Sequence, residues 1–361
     1  MILPISAFAI SAVLTAVVRK IAAGVGFVAK PTADRYHQRV VPLGGGIAIF
    51  ATLSIIMLAA IAAMKLLIAP DRVSWLAESV TIHTAGFLDK IGQLMIILLC
   101  SFALFLLGLT DDKKPLSPFF KLAVQFAVAL TAAGFAQVRV ELFIENKIVT
   151  TVLSALWTVL IINAFNFLDN MDGASAGIAV IVSSVLFTAA AISGQVFVGG
   201  LALVFVGTLL GFLMFNFPPA RIFMGDAGSL VVGFFVAILS LRTTYYHQAQ
   251  GGHWYPVLLP LIVMAVPLYD FISVTILRIR AGKSPFVGDT QHLSHRLKKR
   301  GLTDTQTVLT LYLATLATSL GATFLYQVNF ASAILIFIQT VMVLSIIAVL
   351  ETTVENDKTT N

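Results

Sequence analysis

Two stretches without a single charged residue, 174–220 and 305–350, constrain this chain more than anything else in it. They are 47 and 46 residues long. A helix crosses the hydrocarbon of a bilayer with roughly 17–25 mostly apolar residues, so each stretch is sized for two spans. Ser193, Gly194 and Gln195 mark the turn in the first, and Tyr326 to Asn329 the turn in the second. Single runs of spanning size lie at 2–18, 43–64, 91–110, 122–138 and 148–168. A shorter one follows at 227–241, and another around 256–277 contains Asp270. The pattern predicts an all-α polytopic membrane protein with about eleven transmembrane helices. Residues 1–350 form a single transmembrane domain and 351–361 a short polar tail. Composition agrees: 58% of residues are hydrophobic and only 11% charged, against about 25% charged in soluble chains. The lone cysteine, Cys100, sits in an apolar run, so no disulfide framework exists.

Lysine and arginine in short loops set orientation. With eleven spans, 17 of the 23 fall on one side, in the loops 20–42, 110–121, 216–228 and 278–304 and in the tail. That side is expected to be cytoplasmic, with the N-terminus outside and the C-terminus inside. The first helix lacks a basic leader and is followed by positives, so it reads as an uncleaved anchor. The net charge of +6 is then a topology signal with some attraction to anionic lipid, and it does not point to nucleic acid.

The acidic residues carry a bias that topology does not require. Twelve of the 17 lie on or near the cytoplasmic side. Asp111, Asp112, Asp169, Asp172 and Asp226 sit at helix ends beside glycine, proline or asparagine. A carboxylate in a membrane segment costs about 2.5–3.5 kcal/mol even on the lenient insertion scale. Carboxylates from three separate loops at that boundary fit a divalent cation and a phosphorylated ligand.

Five loop motifs follow in chain order. Residues 30–39 are basic and precede Gly44, Gly45 and Gly46, a glycine run at a helix start that could meet an anion. Asp111 and Asp112 are adjacent, and such a pair needs a cation or base to remain ionised. They suit Mg²⁺ with substrate phosphates, or one of them could act as a general base. Asn163, Asn166 and Asp169, spaced i, i+3 and i+6, line one side of a helix end, with Asn170, Asp172 and Gly173 making the turn. Two asparagines in a last apolar turn are costly without partners. Phe223, Met224, Gly225 and Asp226 place a carboxylate in a glycine-flanked turn, where Asp226 could bind metal or simply cap the next helix. The last motif runs from Asp289 through His292 and His295 to Arg296 in the most basic loop. Its oxygen-rich company argues for Mg²⁺ over zinc, and its bases more plausibly hold a pyrophosphate. Taken singly, each motif is explained by a polar turn or a topology-setting cluster; all five on one face are not.

In this order the loops resemble the polyprenyl-phosphate N-acetylhexosamine-1-phosphate transferase family, glycosyltransferase family 4. The resemblance covers residues ~1–350 and favours its undecaprenyl-phosphate GlcNAc-1-phosphate transferase branch. It implies a single transmembrane catalytic domain that passes GlcNAc-1-phosphate from a UDP-amino-sugar to a polyprenyl phosphate lipid and releases UMP. It implies Mg²⁺, for which Mn²⁺ could substitute, on Asp226 and Asn166. It further implies Asp111, Asp112 and Asp169 at the reacting centre, with Asp111 the candidate base. Phe223 would stack on uracil, Asp172 and Asn163 would lie near the donor, and Lys121 would contact phosphate. His292, His295 and Arg296 would contact the sugar or diphosphate. A cytoplasmic active site in the plasma membrane and a homodimer are compatible with the resemblance. Two positions depart from the pattern: Ser294 stands where a further histidine is usual, and Ala29 where an aspartate is usual. The chain lacks the three near-adjacent histidines of the muramyl-pentapeptide branch. The reaction proceeds by direct attack of the lipid phosphate or through an aspartyl intermediate. The competing class is a secondary transporter, which places ionisable groups near mid-membrane; only Asp270, about two turns from Arg278, favours it.

Overall fold

The computed structural model describes residues 2–29, 40–70, 82–140, 144–243, 245, 253–284 and 291–352. The basic stretch 30–39, Asp289 and the tail beyond 352 lie outside these. The chain is a helical bundle. Its helices are α1 (Ile2–Gly24), α2 (Gly45–Ala63), α3 (Thr84–Lys113), α4 (Pro118–Phe135) and α5 (Lys147–Leu168). There follow α6 (Ala174–Ile192), α7 (Val196–Asn216), α8 (Asp226–Arg242), α9 (Leu259–Val263) and α10 (Ala265–Arg280). The short α11 (Leu293–Lys299), α12 (Asp304–Thr323) and α13 (Phe330–Thr352) complete it. A two-residue ribbon pairs β1 (Val28–Ala29) antiparallel with β2 (Val41–Pro42).

The long uncharged runs divide as their turn residues require, at Ser193–Gly194 and between Tyr326 and Phe330. Caps fix several starts. Ser117 accepts from the Phe120 N–H with Pro118 in the first turn, Asn146 accepts from Ile148 and Val149, and Thr303 with Gln306 forms a capping box. Among the described residues, nine helices are long and apolar enough to cross a bilayer. The pair α9–α10, bent by 63°, makes ten if it is one span. That is short of the eleven expected. The 256–277 run breaks because Pro267 lacks an N–H for the Val263 carbonyl and its ring clashes there. The remaining segment, α8, has 17 residues, or about 25 Å, less than the hydrocarbon thickness. It needs no more, because it is not a lipid-facing helix: every residue from Ala227 to Ser240 is buried. It runs through the middle of the bundle against α2, α3, α5 and α6, while α1 packs on α7 and α13 closes on α12.

Close approach at the start of α8 depends on glycine. A Cβ on Gly108 of α3 would lie 2.4 Å from the Asp226 backbone, and one on Gly46 of α2 would lie 2.2 Å from the Gly228 nitrogen. Those two positions let α2 and α3 touch the head of the central helix, which places the acidic end of α3 beside Asp226.

Candidate active site

The C-terminal ends of α3, α5 and α10 and the N-terminal ends of α4 and α8 meet at one end of the bundle. They enclose a cavity of about 690 Å³. Seven of the twelve expected site residues line it, Asp111, Lys121, Asn163, Asn166, Asp169, Asp226 and His292, together with Asn170 of the same turn.

Asp111 and Asp112 ride in the last turn of α3, a helix that continues past the apolar run to Lys113. Their side chains diverge. Asp111 accepts from the Leu116 N–H at 2.7 Å and from Lys121 Nζ at 2.8 Å. Lys121, one turn into α4, also reaches Asp226 Oδ2 at 3.4 Å, so one ammonium bridges two carboxylates. Asp112 turns to the head of α8: Oδ1 accepts from the Asp226 N–H at 2.8 Å and Oδ2 from the Ala227 N–H at 3.1 Å. Neither N–H has a carbonyl within its own helix to meet. The residue before them, Gly225, has φ of 71° and offers no side chain. Asp112 therefore caps α8 from another helix and positions the Asp226 turn. Asp226 is not the cap; its carboxylate faces Lys121 and Asn166.

Asn166 donates through Nδ2 to Asp226 Oδ1 at 3.1 Å and to Ser229 Oγ at 2.8 Å. This aims its amide and holds the Asp226 rotamer. Asn163, one turn earlier, donates to Gln125 Oε1 at 2.6 Å and to the Val159 carbonyl at 2.8 Å. Asp169 follows the end of α5. Burial, and then the nearby Asp226, Asp112 and Asp172 carboxylates, hold its carboxyl well above the usual range despite a hydrogen bond from the Gly225 N–H. The site thus gathers more negative charge than it neutralises.

Besides Asp112, the other four expected residues also lie outside the cavity lining. Asp172 accepts from the Ala220 N–H at 2.8 Å, tying the α5–α6 turn to the loop that leads into α8. Phe223 pairs by backbone with Pro42 and Gly45, at 2.9 Å each, so that the glycine run and the Asp226 turn form one unit. His295 is buried, and burial, with His292 and the Lys298 ammonium beside it, pushes it down to about 4; it is a neutral imidazole. Arg296 binds Ser273 Oγ at 2.7 Å and Glu351 at 3.0 Å, anchoring α11 to α10 and to the end of α13.

Several cavity residues had no site role in the sequence reading. Gln125 lies one turn from Lys121 on α4 and lines the cavity; its signal was a polar amide inside an apolar run. Arg278 is 2% exposed and its guanidinium lies 4.9 Å from the Phe167 ring. In the sequence it counted toward topology and, through the resemblance, toward the branch that uses UDP-GlcNAc-like donors. The rest of the lining on α4 and α5 is apolar: Pro118, Leu122 and Phe126 of the first with Leu156, Val159 and Leu160 of the second.

Residues 94–244, the segment that supplies four of these wall elements, match the description of glycosyl transferase family 4. Relatives extend along nearly the whole chain. A probable undecaprenyl-phosphate N-acetylglucosaminyl 1-phosphate transferase of Bacillus subtilis (strain 168) is 30% identical over 93% of this chain and 87% of its own. The undecaprenyl-phosphate alpha-N-acetylglucosaminyl 1-phosphate transferase of Escherichia coli (strain K12) is 28% identical, covering 88% and 82%. A decaprenyl-phosphate N-acetylglucosaminephosphotransferase of Mycobacterium tuberculosis (strain ATCC 25618 / H37Rv) is 30% identical over 83% and 76%. Identity at that level, sustained across the bundle and not only its acidic loops, makes this chain a member of glycosyl transferase family 4.

Proposed function

We propose that this multi-pass membrane protein transfers N-acetylglucosamine 1-phosphate from UDP-N-acetylglucosamine to a polyprenyl phosphate, releasing UMP. One observation carries the reading: a single cavity is lined by a carboxylate–lysine–amide cluster and, on the same helices α4 and α5, by the apolar Leu122, Phe126, Leu156, Val159 and Leu160. A water-soluble nucleotide sugar and a membrane lipid headgroup need such a meeting place. The bias of positive charge supports a cytoplasmic location for this end, in the plasma membrane, where the donor is available.

A magnesium ion fits the residues present. Asp226, Asp111 and Asn166 offer only oxygen and amide groups, and a lysine ammonium already serves as cation between the two carboxylates. Among the described residues no three His, Cys, Asp or Glu side chains are placed to hold a metal by themselves. That suits Mg²⁺, or Mn²⁺ in its place, which takes one or two carboxylates and completes its shell with water and substrate phosphate. When bound, the ion would offset charge developing on the departing UMP. The chain's own residues do the rest. Lys121 holds a phosphate oxygen once released from the carboxylates. Asp111 takes a proton from the lipid phosphate, whose oxygen attacks the sugar-side phosphorus as the bond to UMP breaks. The alternative, with Asp111 as nucleophile, uses the same placement. Asp112 is committed to the head of α8 and serves in neither route.

The test is a panel of radiolabelled donors, UDP-GlcNAc, UDP-GalNAc and UDP-MurNAc-pentapeptide, given to purified protein with undecaprenyl phosphate and Mg²⁺. Label is expected in lipid from UDP-GlcNAc and lost with EDTA. Transfer from the muramyl donor alone, or from none, would overturn the proposal.

A further inference from the structure

Asp270 is a buried carboxylate that the chemistry above does not use. It is 1% exposed in α10, whose other charged residues are the C-terminal Arg278 and Arg280. Leaving a charge there is expensive unless each oxygen is occupied. Both are. Oδ1 accepts from the Leu293 N–H at 2.6 Å, and Oδ2 lies 3.0 Å from His292 Nδ1. A carboxylate can only accept, so Nδ1 carries the proton in this contact. The imidazole is then fixed from a second direction by Phe167, whose ring meets it edge-on at 5.3 Å between centroids. His292 lines the cavity, and with Nδ1 committed, Nε2 is the atom it has left to offer.

We propose that Asp270 is a positioning residue for the transfer reaction: it holds the Nδ1 proton and the heading of His292 so that Nε2, left as an acceptor, meets a hydroxyl or N–H of the substrates. The inference rests on the proposed transfer activity. Arg278, two turns further along the same face of α10 and stacked on Phe167, supplies positive charge beside it. The cavity would thus grip its phosphates with Lys121 and Arg278, while His292 Nε2 accepts from a substrate hydroxyl or N–H. The depth of Asp270, which a transporter would explain as an ion-pathway residue, is explained by the need to hold a histidine from behind.

The experiment compares Asp270→Asn, Asp270→Glu, His292→Gln and the Asp270→Asn/His292→Gln double variant in the full-length protein, reading kcat, donor KM and Tm. Asparagine keeps an oxygen for the Leu293 N–H but turns its amide NH₂ toward Nδ1, which forces the proton onto Nε2. Asp270→Asn is expected to lower kcat about 10–100-fold, the range typical when the group orienting a histidine is removed. Donor KM should stay within about threefold and Tm within a few degrees. The double variant should be no slower than His292→Gln alone, because the two act as one unit. Should the asparagine variant not fold, Asp270→Glu decides the matter: it keeps a carboxylate for Nδ1–H and should turn over faster than Asp270→Ala. Losses that multiply in the double variant, wild-type kcat in Asp270→Asn, or a glutamate variant no better than alanine would overturn the positioning role. A wild-type protein that transfers from no UDP-amino-sugar overturns the transfer reading itself, and this inference with it.

Discussion

The two ends of α8 follow one electrostatic rule and reach opposite results. A helix carries partial positive charge at its N-terminus and negative at its C-terminus. At the C-terminal end Arg242 sits in the last turn, and its guanidinium donates to Gln93 Oε1 at 2.8 Å and to the Ala136 carbonyl at 3.1 Å. Gln195 donates back to the Arg242 carbonyl at 3.1 Å, and Trp157 and Tyr245 close on Ser240. Amides and carbonyls answer one another there, and the end is sealed. At the N-terminal end Asp112 caps and Asp226 leads, which the dipole also favours, but Asp111, Asp169 and Asp172 crowd in behind them. Sealing an end takes one compensating charge; a surplus of carboxylates around a cavity belongs to a site that expects a cation and an anionic ligand. The same helix is an anchor at one end and a workbench at the other.

The comparison breaks most completely at Asp226. Asp226→Asn keeps the hydrogen bond available to Asn166 but removes the charge that Lys121 bridges. Transfer of label from UDP-GlcNAc to lipid should fall by roughly 10³-fold or more, with Tm unchanged or higher because a buried repulsion is relieved. Activity near wild type in Mg²⁺ would remove Asp226 from the site. Next in size is Asp112→Ala, which strips two N–H groups at the head of α8 of their acceptor. A lost cap costs about 0.5–2 kcal/mol, and here the displaced turn carries Asp226. Both stability and kcat should drop together, whereas Asp226→Asn separates them. An Asp112→Ala protein of wild-type Tm and impaired kcat would instead put Asp112 among the reacting groups.

How much of this was legible follows the range of the interactions. The apolar runs, their turns and the convergence of acidic loops on one face are local in sequence, and they can be read from spacing alone. The Asp111–Asp112 pair could be seen as a pair, but not as two residues with different duties. That difference depends on α3 crossing α8 where Gly108 leaves room, a contact between residues more than a hundred positions apart. Asp270 likewise looked anomalous by depth, and only the return of the chain at His292 explains it. Gln125 was hidden for the opposite reason: it resembled a tolerated amide in a span.

At the sealed end, Arg242→Met should leave Gln93 and the Ala136 carbonyl without their donor. A buried acceptor left without its partner costs about 1–3 kcal/mol, read as a lower Tm in detergent. Donor KM and kcat per folded molecule should not move, since nothing at this end touches the cavity. A kinetic effect without a stability effect would mean that the two ends communicate through α8, and the division into anchor and site would fail.

The smallest expected effect concerns the surplus charge itself. Burial and three neighbouring carboxylates raise Asp169 well above the ordinary range, so the folded protein retains a proton there that the unfolded chain releases. Stability linked to this group is complete below the ordinary carboxylate value and is lost as pH rises through the raised one. In EDTA, Tm should therefore fall, as pH rises above the ordinary carboxylate range, by more in the wild type than in Asp169→Asn, by on the order of 2 °C per pH unit while that proton is retained. Mg²⁺ should narrow the gap, because a bound cation provides the positive charge that the proton otherwise supplies. An Asp169→Asn protein whose Tm tracks the wild type across that rise in pH would mean that the crowded end of α8 is already balanced, and that its carboxylates are held apart by their hydrogen bonds alone.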